Sequence, residues 1–84
     1  MTKKDIENYI NNSQYEWNHY TKDTEIKGDY WETKINDGNI CILLKENGSV
    51  DVMVISEKNA IHLQNVNETK KFDETIKFME DNYE

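Results

Sequence analysis

Arginine and proline are absent from this chain of 84 residues, cysteine occurs once, and glycine three times. Without proline or a low-complexity stretch, nothing marks a linker, and the length suits a single small domain spanning residues 1–84. The lone thiol, Cys41, cannot form an internal disulfide. That suits a reducing, intracellular setting, the cytoplasm of a bacterial cell. The longest apolar run, Ile40-Cys41-Ile42-Leu43-Leu44, falls far below the ~20 residues that span a bilayer. Lys3 and Lys4 lead into Asp5 rather than an apolar stretch, so no signal peptide is expected.

What is present in excess is negative charge. Seventeen carboxylates face ten cationic side chains, all lysine, for a formal net charge of −7. Such a chain is repelled by nucleic acid and by anionic membrane, and attracted to basic surfaces. Lysine without arginine, alongside many Asn and Ile, is the usage of an AT-rich genome. A low-GC bacterium, or a phage or plasmid within one, is the expected source.

The glycines fall ten residues apart, in Lys27-Gly28-Asp29, Asp37-Gly38-Asn39 and Asn47-Gly48-Ser49. Asp-Gly and Asn-Gly favour the positive φ angles of hairpin turns, so the intervening segments read as an antiparallel meander. The glycines are too far apart to share one phosphate-cradling turn. Strands are expected over residues 24–35, 39–45 and 49–56, with a possible fourth over 60–66 after a turn at Glu57-Lys58-Asn59. Ile40, Ile42 and Leu44 alternate with Cys41 and Leu43, and Val50, Val52 and Val54 with Met53 and Ile55. Both strands are apolar on two faces. In the possible fourth strand, Ile61 and Leu63 would point inward.

A helix is expected at each end. Thr2 and Asp5 form an acidic variant of the capping box, and Ile6, Tyr9, Ile10, Trp17 and Tyr20 follow a helical stripe. The first helix is therefore placed over residues 3–18, although Asn11-Asn12-Ser13 are weak helix formers and an end there is the alternative. In the last helix, capped by Asn67, Phe72, Ile76, Met79 and Tyr83 recur on one face. The expected fold class is α+β: an antiparallel three- or four-stranded meander flanked by an N-terminal and a C-terminal helix.

No motif for catalysis, nucleotide binding or structural metal appears, so neither an enzyme nor a cofactor is expected. His19, Asp23 and Glu16 would approach one another on a continuous helix, but no further His or Cys lies near enough to complete a metal site. Cys41 reads as a small buried hydrophobe rather than a nucleophile. His62 reads as a solvated side chain facing away from the core. The aromatics Tyr15, Trp17, Tyr20, Tyr30 and Trp31 could stack bases, but nearby lysines are matched by acids, and the cationic contribution to nucleic-acid affinity is missing.

Two acidic segments remain as candidate binding sites. Residues 72–84 hold Asp73, Glu74, Glu80, Asp81 and Glu84 against Lys77 alone, 1 − 5 = −4. Acids at a helix C-terminus oppose the helix dipole, each by about 0.3–1 kcal/mol at low salt. Residues 23–37 hold five acids and two lysines, with Tyr30 and Trp31 between Asp29 and Glu32. Aromatics interleaved with acids suit docking onto a basic, partly apolar protein surface, the rings as anchors and the carboxylates for steering.

In size, charge and element order, the chain resembles the small acidic anti-defence proteins of bacteriophages, especially anti-CRISPR proteins. That resemblance implies a non-enzymatic inhibitor of a nucleic-acid-processing enzyme that acts by nucleic-acid mimicry. Asp29, Glu32, Asp73, Glu74, Glu80 and Asp81 would then supply charge, and Tyr30 and Trp31 would anchor. The alternative is a homodimeric interaction or regulatory module. In that alternative the two helices leave one sheet face uncovered, and Cys41, Leu43, Met53 and Ile55 form the interface.

Overall fold

In a computed structural model the chain runs α1 (Lys3–Asn12), β1 (Trp17–Thr21), β2 (Gly28–Ile35), β3 (Gly38–Lys45), β4 (Val50–Ser56), β5 (Ala60–Leu63) and α2 (Thr69–Tyr83). The structure describes residues 1–21, 28–35, 38–56, 60–63, 65–66 and 68–83, without the side chains of residues 21, 79, 80, 82 and 83. The five strands form one sheet in the order β1-β2-β3-β4-β5, each antiparallel to its neighbour. This is the expected α+β meander between two helices, with an additional strand at its front.

That strand comes from the segment assigned above to the first helix. The Thr2 hydroxyl accepts from the Asp5 N–H at 3.3 Å, and the Thr2 N–H donates to Asp5 Oδ2 at 2.8 Å, which closes the capping box. The hydrogen bonds from the Thr2 backbone and side chain hold the Asp5 carboxyl below its usual value. The helix then stops at Asn12 instead of Asn18. Ser13 is extended (φ −75°, ψ 149°), and its Oγ accepts from the Tyr15 N–H at 3.2 Å and from Trp17 Nε1 at 3.1 Å. A hydroxyl bonded to groups two and four residues ahead competes with helix continuation. Trp17 and Tyr20, read as one helical stripe, therefore stand on opposite faces of β1.

The core lies on one side of the sheet. Trp31, Ile35, Ile40, Ile42, Val50, Val52 and Val54 point to it, and Ile6 of α1 and Phe72 and Ile76 of α2 close it from above. Tyr9 joins the two helices, its ring edge-on to Phe72 at 5.4 Å and to Trp17 at 6.3 Å. Burying one such aliphatic or aromatic side chain stabilises the fold by about 1.5–3 kcal/mol. Val66, also buried, sends its N–H to the Val50 carbonyl at 2.7 Å and so fastens the approach to α2. Ile61 is half-buried, but Leu63, expected inward, is 38% exposed at the short edge strand. The Asn67 cap and the Glu57-Lys58-Asn59 turn lie outside the described residues.

The glycines serve two different needs. Gly48 occupies a tight turn, its N–H donating to the Lys45 carbonyl at 2.9 Å. Gly38 instead opens β3 opposite Ser56, at φ +149°, with the partner strand pressed against it. A Cβ there would meet the Ile55 carbonyl oxygen at 1.8 Å, whereas a Cβ on Gly48 would meet nothing within 4 Å. Gly38→Ala is therefore expected to cost at least about 2 kcal/mol, and Gly48→Ala, which bears only its φ of +87°, about 1–2 kcal/mol. Urea unfolding of the two variants checks the ranking.

Candidate partner-binding surfaces

A strand alternates its side chains between two faces, and this divides the acidic–aromatic segment of β2. Asp29 and Trp31 point to the helical side, Tyr30 and Glu32 to the other. Trp31 is 2% exposed, with the His19 ring stacked on it at 4.6 Å and 5°. It is part of the core, a correction to its expected role as an exposed anchor. Asp29 Oδ1 lies 3.0 Å from His19 Nε2 and 3.4 Å from Lys3 Nζ, so its charge is answered locally.

On the opposite face, the half-buried Tyr30 hydroxyl donates to Glu32 Oε2 at 2.7 Å and sits 2.9 Å from Cys41 Sγ. Burial, reinforced by these two neighbours, pushes the Tyr30 phenol far above its usual value. Burial also pushes the Cys41 thiol up; Tyr30 pulls it down and Glu32 adds to the rise. Cys41 is 1% exposed, which agrees with its reading as a small buried hydrophobe.

The helical acids form a separate group. Asp73, Glu74 and Asp81 are exposed on α2, and the Glu80 side chain lies outside the described residues. Asp73 and Asp5 flank an open groove of about 390 Å³ between the helices, floored by Tyr9. The sheet separates α2 from Tyr30 and Glu32, so the eight expected site residues do not share one surface. Over Thr69–Tyr83 three lysines stand among four acids, 3 − 4 = −1, and the surplus of the terminal segment is diluted within the helix.

Two features escaped sequence reasoning. Phe78 is 58% exposed on α2, off the Phe72/Ile76 stripe, with Glu74 and Asp81 at helical-neighbour spacing. An aromatic outside the buried stripe is its signal. The second is Asp51, 2% exposed in the apolar strand β4. Its Oδ2 takes Lys45 Nζ at 2.8 Å and His62 Nε2 at 3.1 Å, and its Oδ1 takes the Asn65 N–H at 3.1 Å. His62, expected to be simply solvated, thus helps tie β5 to β4. The signal was a single carboxylate between Val50 and Val52, but its partners are set by strand register.

Of the proposed metal trio, Asp23 lies outside the described residues, and His19 is engaged by Asp29 and Trp31. Among the described residues no group of three or more His, Cys, Asp or Glu is placed to hold a metal ion. Nor, among them, is any helix long and apolar enough to cross a membrane. The chain matches no known family model, and no curated protein or solved structure matches it.

The polar cluster sets an acid limit to stability. Burial raises the Asp51 carboxyl, but Lys45, the Asn65 N–H and His62 together outweigh it and hold the group below its ordinary value. A depressed carboxyl stabilises the fold above the ordinary carboxylate range, and that stability is lost as the pH falls through it. Asp51→Asn is expected to cost about 1–3 kcal/mol at neutral pH, the difference from the parent shrinking between about pH 5 and pH 2. Urea titrations of both proteins across that interval test it. The Cys41 thiol, buried and raised, is expected to react with a thiol reagent on the order of a hundredfold more slowly in native than in unfolded protein.

Proposed function

We propose that this chain is a non-enzymatic binding protein that docks on a cationic nucleic-acid-processing protein and inhibits it, as the phage anti-defence proteins it resembles do, but by charge steering and an aromatic anchor rather than by nucleic-acid mimicry. The observation that carries this reading is uncompensated charge. Among the described residues, ion pairs engage only two of the carboxylates, Asp29 and Asp51. The remaining surplus gives the whole molecule a negative field, which speeds encounter with a basic partner and falls off with salt.

The contact itself falls to α2. Phe78 offers a large exposed ring, and Glu74 and Asp81 lie one turn to either side of it. An aromatic anchor with flanking carboxylates fits a pocket rimmed by lysine or arginine. Lys77 stands between the Asp73-Glu74 and Glu80-Asp81 pairs of α2 and Lys70 and Lys71 precede them, so a phosphate-like row is not part of the reading. Steering by net charge and anchoring by Phe78 take its place. The buried Cys41 thiol and the two imidazoles, each engaged by an aspartate, favour a binding role over catalysis.

The test is capture of partners from a low-GC bacterial lysate at low and high salt, followed by binding measurements on the partner identified. The expected partner is a basic nucleic-acid-binding protein released by high salt. Glu74→Lys with Asp81→Lys changes the net charge from −7 to −3 and should slow association about tenfold or more at low salt. Phe78→Ala should weaken binding about tenfold, chiefly through faster dissociation. A partner held equally well by all variants and at all salt concentrations contradicts the proposal.

A further inference from the structure

We infer that the sheet face opposite the helices is the interface at which two copies of this chain pair. The face carries a band of apolar side chains running diagonally across the strands: Tyr20, Tyr30, Leu43, Cys41, Met53 and Ile55. Strand register sets the band, because Tyr20 pairs with Tyr30, Tyr30 with Leu43, and Cys41 with Met53. Tyr20 and Ile55, at its two ends, are 51% and 50% exposed. Tyr20 and Tyr30 already lie ring to ring at 5.9 Å. Both helices pack on the other face; on this one Tyr30 lies against the buried Cys41 and Asp51 is enclosed by Lys45, His62 and Asn65, so the surface left open is that of Tyr20, Tyr30, Leu43, Met53 and Ile55.

Charge identifies the occupant. The face holds two carboxylates, Glu32 and Asp51, and two lysines, Lys34 and Lys45, and so is neutral. The rest of the chain keeps eight lysines and fifteen acids, 8 − 15 = −7. A basic partner has no electrostatic reason to choose a neutral face. A second copy does, because this is where two strongly acidic molecules can meet with least repulsion. Sheets pack face to face about 10 Å apart with interdigitating side chains, which suits such a band. Area allows a weak contact. Five strands about 4.8 Å apart and some 20 Å long give roughly 480 Å² of face per copy, or about 960 Å² for the pair. That lies below standard specific interfaces and among weak, transient ones, so a weak, reversible dimer is expected. Pairing here leaves Phe78 and the α2 acids outward on both copies, and it is independent of the partner proposed above.

Sedimentation of the full chain at about 5 to 200 µM, in low salt and in 1 M salt, decides the matter. The expected result is a concentration-dependent shift from 10.0 kDa to twice that mass, retained or strengthened in high salt. Ile55→Lys and Tyr20→Lys each reduce the net negative charge, so general repulsion falls. Each should nevertheless weaken dimerisation at least about tenfold, because the new ammonium would be buried. Circular dichroism confirms folding, and the two sites lie on different strands, so either variant alone suffices. Phe78→Lys should leave the dimer intact. A 10.0 kDa species under every condition overturns the inference. So does a dimer that dissolves in high salt, one that survives both open-face variants, or one lost in Phe78→Lys.

Discussion

Ten and fifteen residues of helix can cover only one face of a five-stranded sheet, and this chain places both helices on the same side. The arrangement of the rest follows. The covered face takes the branched aliphatics of β3 and β4, whose alternate positions are fully buried. The other face leaves a band of apolar side chains toward water and buries its small and hydrogen-bonded groups between them. Cys41 is small enough to vanish between its neighbours, Tyr30 lies across it, and Asp51 gathers a lysine, a histidine and a backbone N–H. A carboxylate so enclosed is tolerable only with its partners in place, so the cluster also fixes where β5 and the segment before α2 must lie.

The division into two faces also orders the functional reading. Negative charge is spread over the helices, turns and strand ends, where it acts at a distance. The uncovered sheet face is neutral and apolar, where contact is short-ranged. One surface suits long-range attraction of a cationic protein, the other close association with little electrostatic cost. The two uses are compatible because the sheet lies between them.

Much of the fold was legible in the chain. Glycines at ten-residue intervals marked the meander, and the two-sided apolar pattern of residues 40–44 and 50–55 marked its centre. The boundary of α1 was legible only as an alternative. Asn11-Asn12-Ser13 marked an end there, which the structure shows, but Tyr9, Trp17 and Tyr20 fit a longer helical spacing, and it takes the bonds of the Ser13 hydroxyl to decide between the two. The candidate site was less legible still. Asp29-Tyr30-Trp31-Glu32 looks like a patch in sequence, yet a period of two sends alternate members to opposite faces, and Trp31 into the core. Asp51 and His62 become partners through strand register across eleven residues, which local pattern does not encode. Phe78 lies two residues past Ile76, off the buried helical stripe, and a charge pattern alone does not mark such a ring.

One-sided burial is tested most directly by methyl NMR with a soluble paramagnetic probe over a dilution series. The methyl groups of Ile40, Ile42, Val52 and Val54 should be shielded at every concentration, and those of Leu43, Met53 and Ile55 reached by the probe in dilute samples and shielded as concentration rises. Equal shielding of both sets at all dilutions would mean that the chain itself covers the second face, and would contradict the one-sided architecture and the pairing that rests on it.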